Sequence, residues 1–291
     1  MRGDMKSKGF KKESMLSTTF HRLRKNRMAV LGLIFIVAMG IIAISAPLIA
    51  PYGYEEQDLY NIFSKPSANH WFGTDSLGRD IFSRIIYGGR YSLQIGFGAV
   101  ALACSIGVMM GSLAGFYGGK LDLILMRVLD VMQSIPGLLM SIAVSATLGS
   151  GIGNCIIALS VSTIPGYARM MRATMLNIRD MEYVEAARSV NAKDSRIIFR
   201  HMLPNALAPT IVQATMGIAQ AILVAAMLSF IGLGVQPPTP EWGAMLSEGR
   251  NYIRDYPHLV LFPGLAIVLA VLSLNMLGDG LRDALDPRLK N

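Results

Sequence analysis

Glu182, Glu185, Arg188, Asp194, Arg196 and Arg200 crowd into residues 181–210, while the long segments on either side are almost free of charge. Side chains of both signs at this spacing make ion pairs and hydrogen bonds with another polar surface. A polar segment of this length does not face lipid, so it sits in water or against a polar protein. Bond-making chemistry has little support elsewhere. The chain has no G-x-x-x-x-G-K-[ST] phosphate loop, which removes the usual route to ATP hydrolysis. It has no H-E-x-x-H, no G-x-S-x-G and no paired carboxylates inside an apolar stretch, so an intramembrane enzyme is not indicated. Cys104 and Cys155 stand apart in apolar sequence and read as packing residues; no cofactor or metal site is expected in this chain. Arg127 and Asp130, three apart, read as a local ion pair at a membrane boundary. An ion-coupled carrier would want such a carboxylate deeper.

The frame that holds the charged segment is a membrane one. Hydrophobic residues make up 52% of the 291 and charged residues only 16%, against roughly 25% in a soluble domain; the mean hydropathy is +0.44. Six stretches approach the ~20 apolar residues that a crossing helix needs. They are 29–50, 93–116, 131–149, 152–169, 209–234 and 259–278, the fourth closing on Arg169 and the rest uncharged. Gly149, Ser150, Gly151 and Gly153 divide the third from the fourth. With the N-terminus in the cytosol, 21 of the 27 Lys and Arg fall on the inner side, the distribution of a multi-pass protein with both termini cytosolic. The net charge of +8 is then a topology signal, and no nucleic-acid partner is expected because the basic residues flank spans. The basic N-terminal run is too far from the first span for a signal peptide.

The charged segment itself reads as a helix-turn-helix. Asp180 and Glu182 load the first turn of a helix running to Val190, favoured by the positive end of its dipole. Ala186 and Ala187 give a close-approach face. Asn191 suits the left-handed residue that closes a helix. A second helix begins near Lys193 and runs through His201 to Leu203 and Pro204, with Pro204 and Pro209 marking a kinked approach to the fifth span.

Glu185-Ala186-Ala187, Asn191 and Leu203-Pro204 resemble the E-A-A-x3-G-x9-I-x-L-P loop of bacterial ABC importer permeases, with Asn in place of Gly and His201 in place of Ile. Phe199 to Asn205 is similar to the same stretch in the dipeptide, oligopeptide and nickel branch. Three more segments resemble that branch in its second-subunit form. One runs from His70 through Phe72, Gly73, Thr74, Asp75, Gly78, Arg79 and Asp80 to Leu93; another from Gly232 through Trp242 to Leu246; the last from Gly278 to Arg288. In the first, Gly73 and Gly78 allow tight turns, Thr74 or Asp75 can cap the following helix, and Arg79 and Asp80 can tie the loop together. Trp242 reads as a membrane-interface anchor.

The resemblance implies an all-α, polytopic protein with six transmembrane helices and the type I ABC importer permease fold. Residues 1–28 form a basic cytosolic segment, 29–50 the first span and 51–92 an extracytoplasmic loop. Residues 93–278 form the permease core, with a cytosolic coupling loop at 177–205, and 279–291 a cytosolic tail. The partners implied are a second homologous permease, two cytosolic ATPase subunits that bind ATP and Mg, an extracytoplasmic substrate-binding protein and membrane lipid. ATPase coupling falls to Glu185, Ala186, Ala187, Arg188, Asn191, Asp194, Leu203 and Pro204. The implied substrate is a short peptide, with nickel or a metal chelate and then a glutathione-like thiol as alternatives, and an ion-coupled secondary transporter as the rival class.

The pathway is faintly marked. Ser141, Ser145, Thr147, Ser160, Ser162, Thr163, Gln213, Thr215 and Gln220 fall within spans and read mostly as hydrogen-bonded to helix backbones, with a water-filled cavity as the other use. Gly107, Gly111 and Gly115 form a small-residue stripe for close packing on the partner permease or on a neighbouring span. Pro136, Pro165 and Pro263 are candidate kinks.

Overall fold

The computed structural model describes residues 21–285. Most of the basic segment, residues 1–20, and the last part of the tail, 286–291, lie outside them. Regular structure among the described residues is helical, apart from one isolated bridge between Thr74 and Asp80. Helix α1 spans Arg27–Ile44; Asn26 caps it by accepting the N–H groups of Met28 and Ala29 at 3.1 and 3.2 Å. The short α2, Ala46–Ile49, precedes an ordered coil, and Asp80 then caps α3, Ile81–Tyr117. At 37 residues α3 is ~55 Å long, well beyond the ~30 Å hydrocarbon core. Its two ends therefore reach both aqueous sides.

Of the six expected crossings, four stand as single long apolar helices among the described residues. Arg27–Ile44, Ile81–Tyr117, Asp194–Phe230 and His258–Leu285 are each long and apolar enough to cross. A fifth crossing arises only by joining α4, Gly119–Gln133, to α5, Gly137–Leu148, and these meet at 85°. Residues 131–149 are thus a bend followed by a 12-residue helix. The cause is Pro136, which lacks an N–H, clashes with the carbonyl four residues back, and pushes Ile135 out of the helical region. The expected fourth crossing lies in α6, Ile152–Ile178, which is long enough at 27 residues but falls below that apolarity, with Asn154, Arg169 and Arg172 in it. Pro165 lies within α6, and Pro263 within α11, His258–Leu285.

Packing follows the glycines of α3. A Cβ on Gly107 would meet that of Tyr167 at 2.6 Å, one on Gly111 the Ala168 carbonyl oxygen at 2.3 Å, and one on Gly115 the Met175 Cβ at 2.6 Å. The stripe therefore serves a neighbouring helix of the same chain, α6. Gly111→Leu is expected to push α3 and α6 apart and destabilise the protein by about 1–3 kcal/mol, visible as a lower melting temperature in detergent; an unchanged melting temperature would refute the close packing. Outward faces of α1 and α11 remain apolar and exposed, among them Phe35, Ile41, Val268 and Leu272. That is the surface of a protein solvated by lipid.

Candidate functional site

The charged segment folds as a knob on one end of the bundle. Helix α7, Glu182–Ser189, has Glu182 and Glu185 in its first turn, and Asn191 closes the turn after it with φ +56. The N–H of Asn191 donates to the Arg188 carbonyl at 2.8 Å and that of Ala192 to the Ala187 carbonyl at 3.1 Å. The chain then runs through α8, Asp194–Arg196, and a π-helical stretch, Ile197–Met202, into α9, Leu203–Phe230.

The kink expected at Pro204 and Pro209 is corrected. The helix is continuous across both prolines, and the irregularity lies just before Pro204. The widened π turn, in which the Leu203 N–H reaches back to the Ile198 carbonyl, absorbs the misfit that a proline creates one turn upstream.

Val184, Ala187, Ile197, Ile198 and Met202 are buried in a second hydrophobic cluster with Phe116 of α3 and Met171, Met175 and Ile178 of α6. The apolar side of the knob is thereby packed on two long helices. Ala187 faces inward, so the close-approach face expected of Ala186 and Ala187 is split, with Ala186 exposed. Glu185, Arg188, Asn191, Asp194 and Pro204 are exposed and Leu203 half-buried. The Arg188 guanidinium lies 5.5 Å from the Phe116 ring centroid. Between the two helices a groove of about 630 Å3 is lined by Tyr183, Ala186, Val190, Asn191, Lys193, Arg196 and His201, among others.

At the opposite end of α3 the outer motif forms a clamp. Gly73 has φ +80 and Gly78 φ +73, conformations that favour glycine. A Cβ at Gly78 would lie 1.8 Å from the Asp58 carbonyl oxygen. The Asn61 side chain and the Tyr60 N–H hold the Asp58 carboxyl below the usual carboxylate range. The Phe72 ring stacks on Phe262 at 4.0 Å between centroids.

The expected cap is corrected: Asp80 caps α3, accepting from the Ser83 N–H at 2.8 Å and its hydroxyl at 2.7 Å. Thr74 instead donates to the Asn61 carbonyl and accepts the Ser64 N–H. Asp75 Oδ1 accepts the N–H groups of Leu77 and Arg79 at 2.9 and 3.0 Å. Arg79 pairs with Asp75 at 2.7 Å and with Glu248 at 2.8 Å, and Arg84 pairs with the same two carboxylates. Both arginines are 2% exposed and Glu248 is half-buried, so the four side chains form a closed, largely buried ring. Asp80 also pairs with His70 at 3.0 Å.

Trp242 is not at the lipid interface. It is 2% exposed at the start of α10, Trp242–Gly249, and its Nε1 donates to the Ile85 carbonyl at 3.0 Å. Gly88 and Gly89 of α3 leave the room for its indole. Buried Glu241 caps α10, accepting the Ala244 N–H at 2.9 Å and the Ser92 hydroxyl at 3.1 Å.

Between knob and clamp lies a cavity of about 620 Å3 bounded by α3, the end of α4, α5, α6, α9 and α11, with no charged side chain in its lining. Ser141, Ser162, Thr163, Gln213 and Gln220 of the polar span residues reach it. Ser145, Thr147, Ser160 and Thr215 do not; their hydroxyls donate to backbone carbonyls. Gln133, Tyr167 and Asn275 join the lining. Toward the knob, Asp122 takes a bidentate pair from Arg172 at 2.5 and 2.6 Å. Asp130 pairs with Arg169 at 2.6 Å, while Arg127, its expected local partner, is 3.8 Å away. Asp130 thus keeps the expected local pair on α4 and adds a shorter one that bridges α4 to α6.

An uncharged cavity among apolar helices, with a polar knob packed on one end of them, fits a transport permease. Residues 107–291 match the family described as the binding-protein-dependent transport system inner membrane component, and residues 14–66 the N-terminal TM domain of oligopeptide transport permease C. The chain belongs to this family of ABC importer permeases.

It is 49% identical to the dipeptide transport system permease protein DppC of Alkalihalophilus pseudofirmus over 94% of this chain and 90% of that protein. It is 48% identical to the glutathione transport system permease protein GsiD of Escherichia coli O6:K15:H31 (strain 536 / UPEC) over 96% and 94%. Among solved structures, an inward facing conformation of the MetNI methionine ABC transporter superposes with a TM-score of 0.56 at 21% identity, over 69% of this chain and 96% of that one. That likeness gives the type I importer permease fold.

Sequence reasoning missed Arg84, Glu248, Glu241, Gln133 and Asn275 as site residues. Glu248 is 164 residues from Arg84, and no local spacing joins them. A charged pair of opposite sign in two outer loops was the only signal available.

Proposed function

We propose that this chain is one of two permease halves of an ATP-driven importer of short peptides, and that the knob of residues 182–204 docks in a groove of a cytosolic ATPase. ATP and Mg belong to two such ATPases, and a binding protein delivers substrate from outside. The observation that carries this reading is the build of the knob: its apolar side is sealed onto α3 and α6 while Glu185, Ala186, Asn191 and Asp194 face outward around an open groove. Closure of the ATPases then moves α3 and α6 through Phe116, Met171 and Met175, a two-state element biased by a ligand on another subunit. Arg188, stacked on Phe116, links the exposed and buried sides. Leu203 and Pro204 carry the motion into α9.

The lysine and arginine distribution supports a bacterial cell-membrane protein with both termini and the knob on the cytosolic side and the clamp outside. There Phe72 to Asp80 hold the outer loop rigid for contact with the binding protein. Peptide is the substrate that fits best, because the two relatives are named for a dipeptide and for glutathione, both short peptides.

The test is recovery of the chain from its native membrane in mild detergent, with its companions identified by mass spectrometry. A second permease and one or two P-loop ATPases are expected. Recovery of the chain alone, with transport indifferent to ATP, would overturn the reading in favour of an ion-coupled carrier.

A further inference from the structure

Gln133, Gln213, Gln220 and Asn275 line the central cavity, and none of their carboxamides has a hydrogen-bond partner among the described residues. The hydroxyls of the same wall differ. Ser141 donates to the Gly137 carbonyl at 3.0 Å, and Thr163 to the Leu159 carbonyl at 2.9 Å. A helix in lipid meets its own polar needs, so amides left open within apolar spans face water or a ligand. Gln213 and Gln220, seven apart, lie on one stripe of α9. Each carboxamide offers two N–H donors and an accepting oxygen.

A zwitterionic peptide presents an ammonium, a carboxylate and a peptide group at once. A fixed charge on the wall would hold one terminus and repel the other, and transit requires binding weak enough to release. Carboxamides serve both termini in either orientation, since each accepts from the ammonium or donates to the carboxylate. We infer that Gln133, Gln213, Gln220 and Asn275 are the substrate-contacting groups of this half of the pathway, and that they pass short zwitterionic peptides by hydrogen bonding without selecting net charge. This rests on the peptide-import reading.

The test uses proteoliposomes holding the complete transporter with its ATPases and binding protein, supplied with saturating Ala-Ala, Ala-Glu or Ala-Lys. The readout is the ratio of Ala-Lys to Ala-Glu uptake within each variant, which cancels differences in folding and amount. Gln213→Glu raises that ratio about tenfold over the wild type and Gln220→Lys lowers it by about as much, as expected for one charge at contact distance in a partly hydrated site. Gln213→Leu slows all three peptides together and leaves the ratio alone. Ratios in both charged variants equal to the wild-type value, or full uptake by Gln213→Leu, would overturn the inference while leaving peptide import standing. If the wild-type complex takes up none of the three with ATP, the import reading fails and the inference falls with it.

Discussion

Glu185→Lys is expected to cut ATP-driven uptake of Ala-Ala in proteoliposomes at least about tenfold, the scale of reversing a charge at a docked polar contact. Glu185 is exposed on α7 and has no ion pair or hydrogen bond through its side chain among the described residues. The fold of the knob rests on its neighbours Val184 and Ala187, which are buried. Charge reversal therefore removes a contact with another subunit while leaving the chain's own packing in place. The matching measurement is the amount of ATPase that copurifies, which should fall with uptake while the amount of permease in the membrane stays constant. Undiminished uptake, with ATPase still bound, would show that the outward carboxylate has no part in docking.

Arg84→Met should lower stability by about 3–5 kcal/mol, because it leaves Asp75 and Glu248 sharing a single arginine in a buried site. Arg84 is 2% exposed and bonds both carboxylates, so little water is available to replace it. In a chain of this size that loss corresponds to a drop of roughly 10 °C in melting temperature, measurable on the detergent-solubilised protein. The double variant Arg84→Met/Glu248→Met leaves Arg79 paired with Asp75 and the site neutral. It is expected to lose much less than the two single losses combined. Additive losses would mean that the four charges do not act as a unit.

How much was legible depended on whether a property was local. Asn191 announced its left-handed turn because side-chain type biases which residues tolerate positive φ, and Gly73 and Gly78 did so for the same reason; Phe63, at φ +52, carries no such signal. Asp80, by contrast, was read as a tie within the loop, and Thr74 or Asp75 as the cap. All three are capping types, and only the position where α3 starts separates them. Hydropathy located the apolar stretches but not their shape. Residues 131–149 satisfied every composition test for a crossing, and Pro136 turned them into an 85° bend. Trp242 was assigned to the interface on residue preference, and two glycines 153 and 154 positions away, Gly89 and Gly88, made a buried slot for it instead.

The sequence by itself determined the class of this protein. Uncharged runs require lipid, the asymmetry of lysine and arginine carries a sidedness, and a mixed-charge segment between such runs requires water or a polar partner; each is a property of residues adjacent in the chain. Only the tertiary structure decided which polar residues matter. Of nine polar span residues considered alike, five reach the cavity, and Gln213 and Gln220 are left with open amides there, because a short hydroxyl reaches its own helix backbone and a longer carboxamide on a cavity-facing stripe does not. The ring of Asp75, Arg79, Arg84 and Glu248 likewise closes only when α10 folds back against the start of α3. Buried charges are stable only in that completed arrangement, and it is set by contacts far apart in sequence.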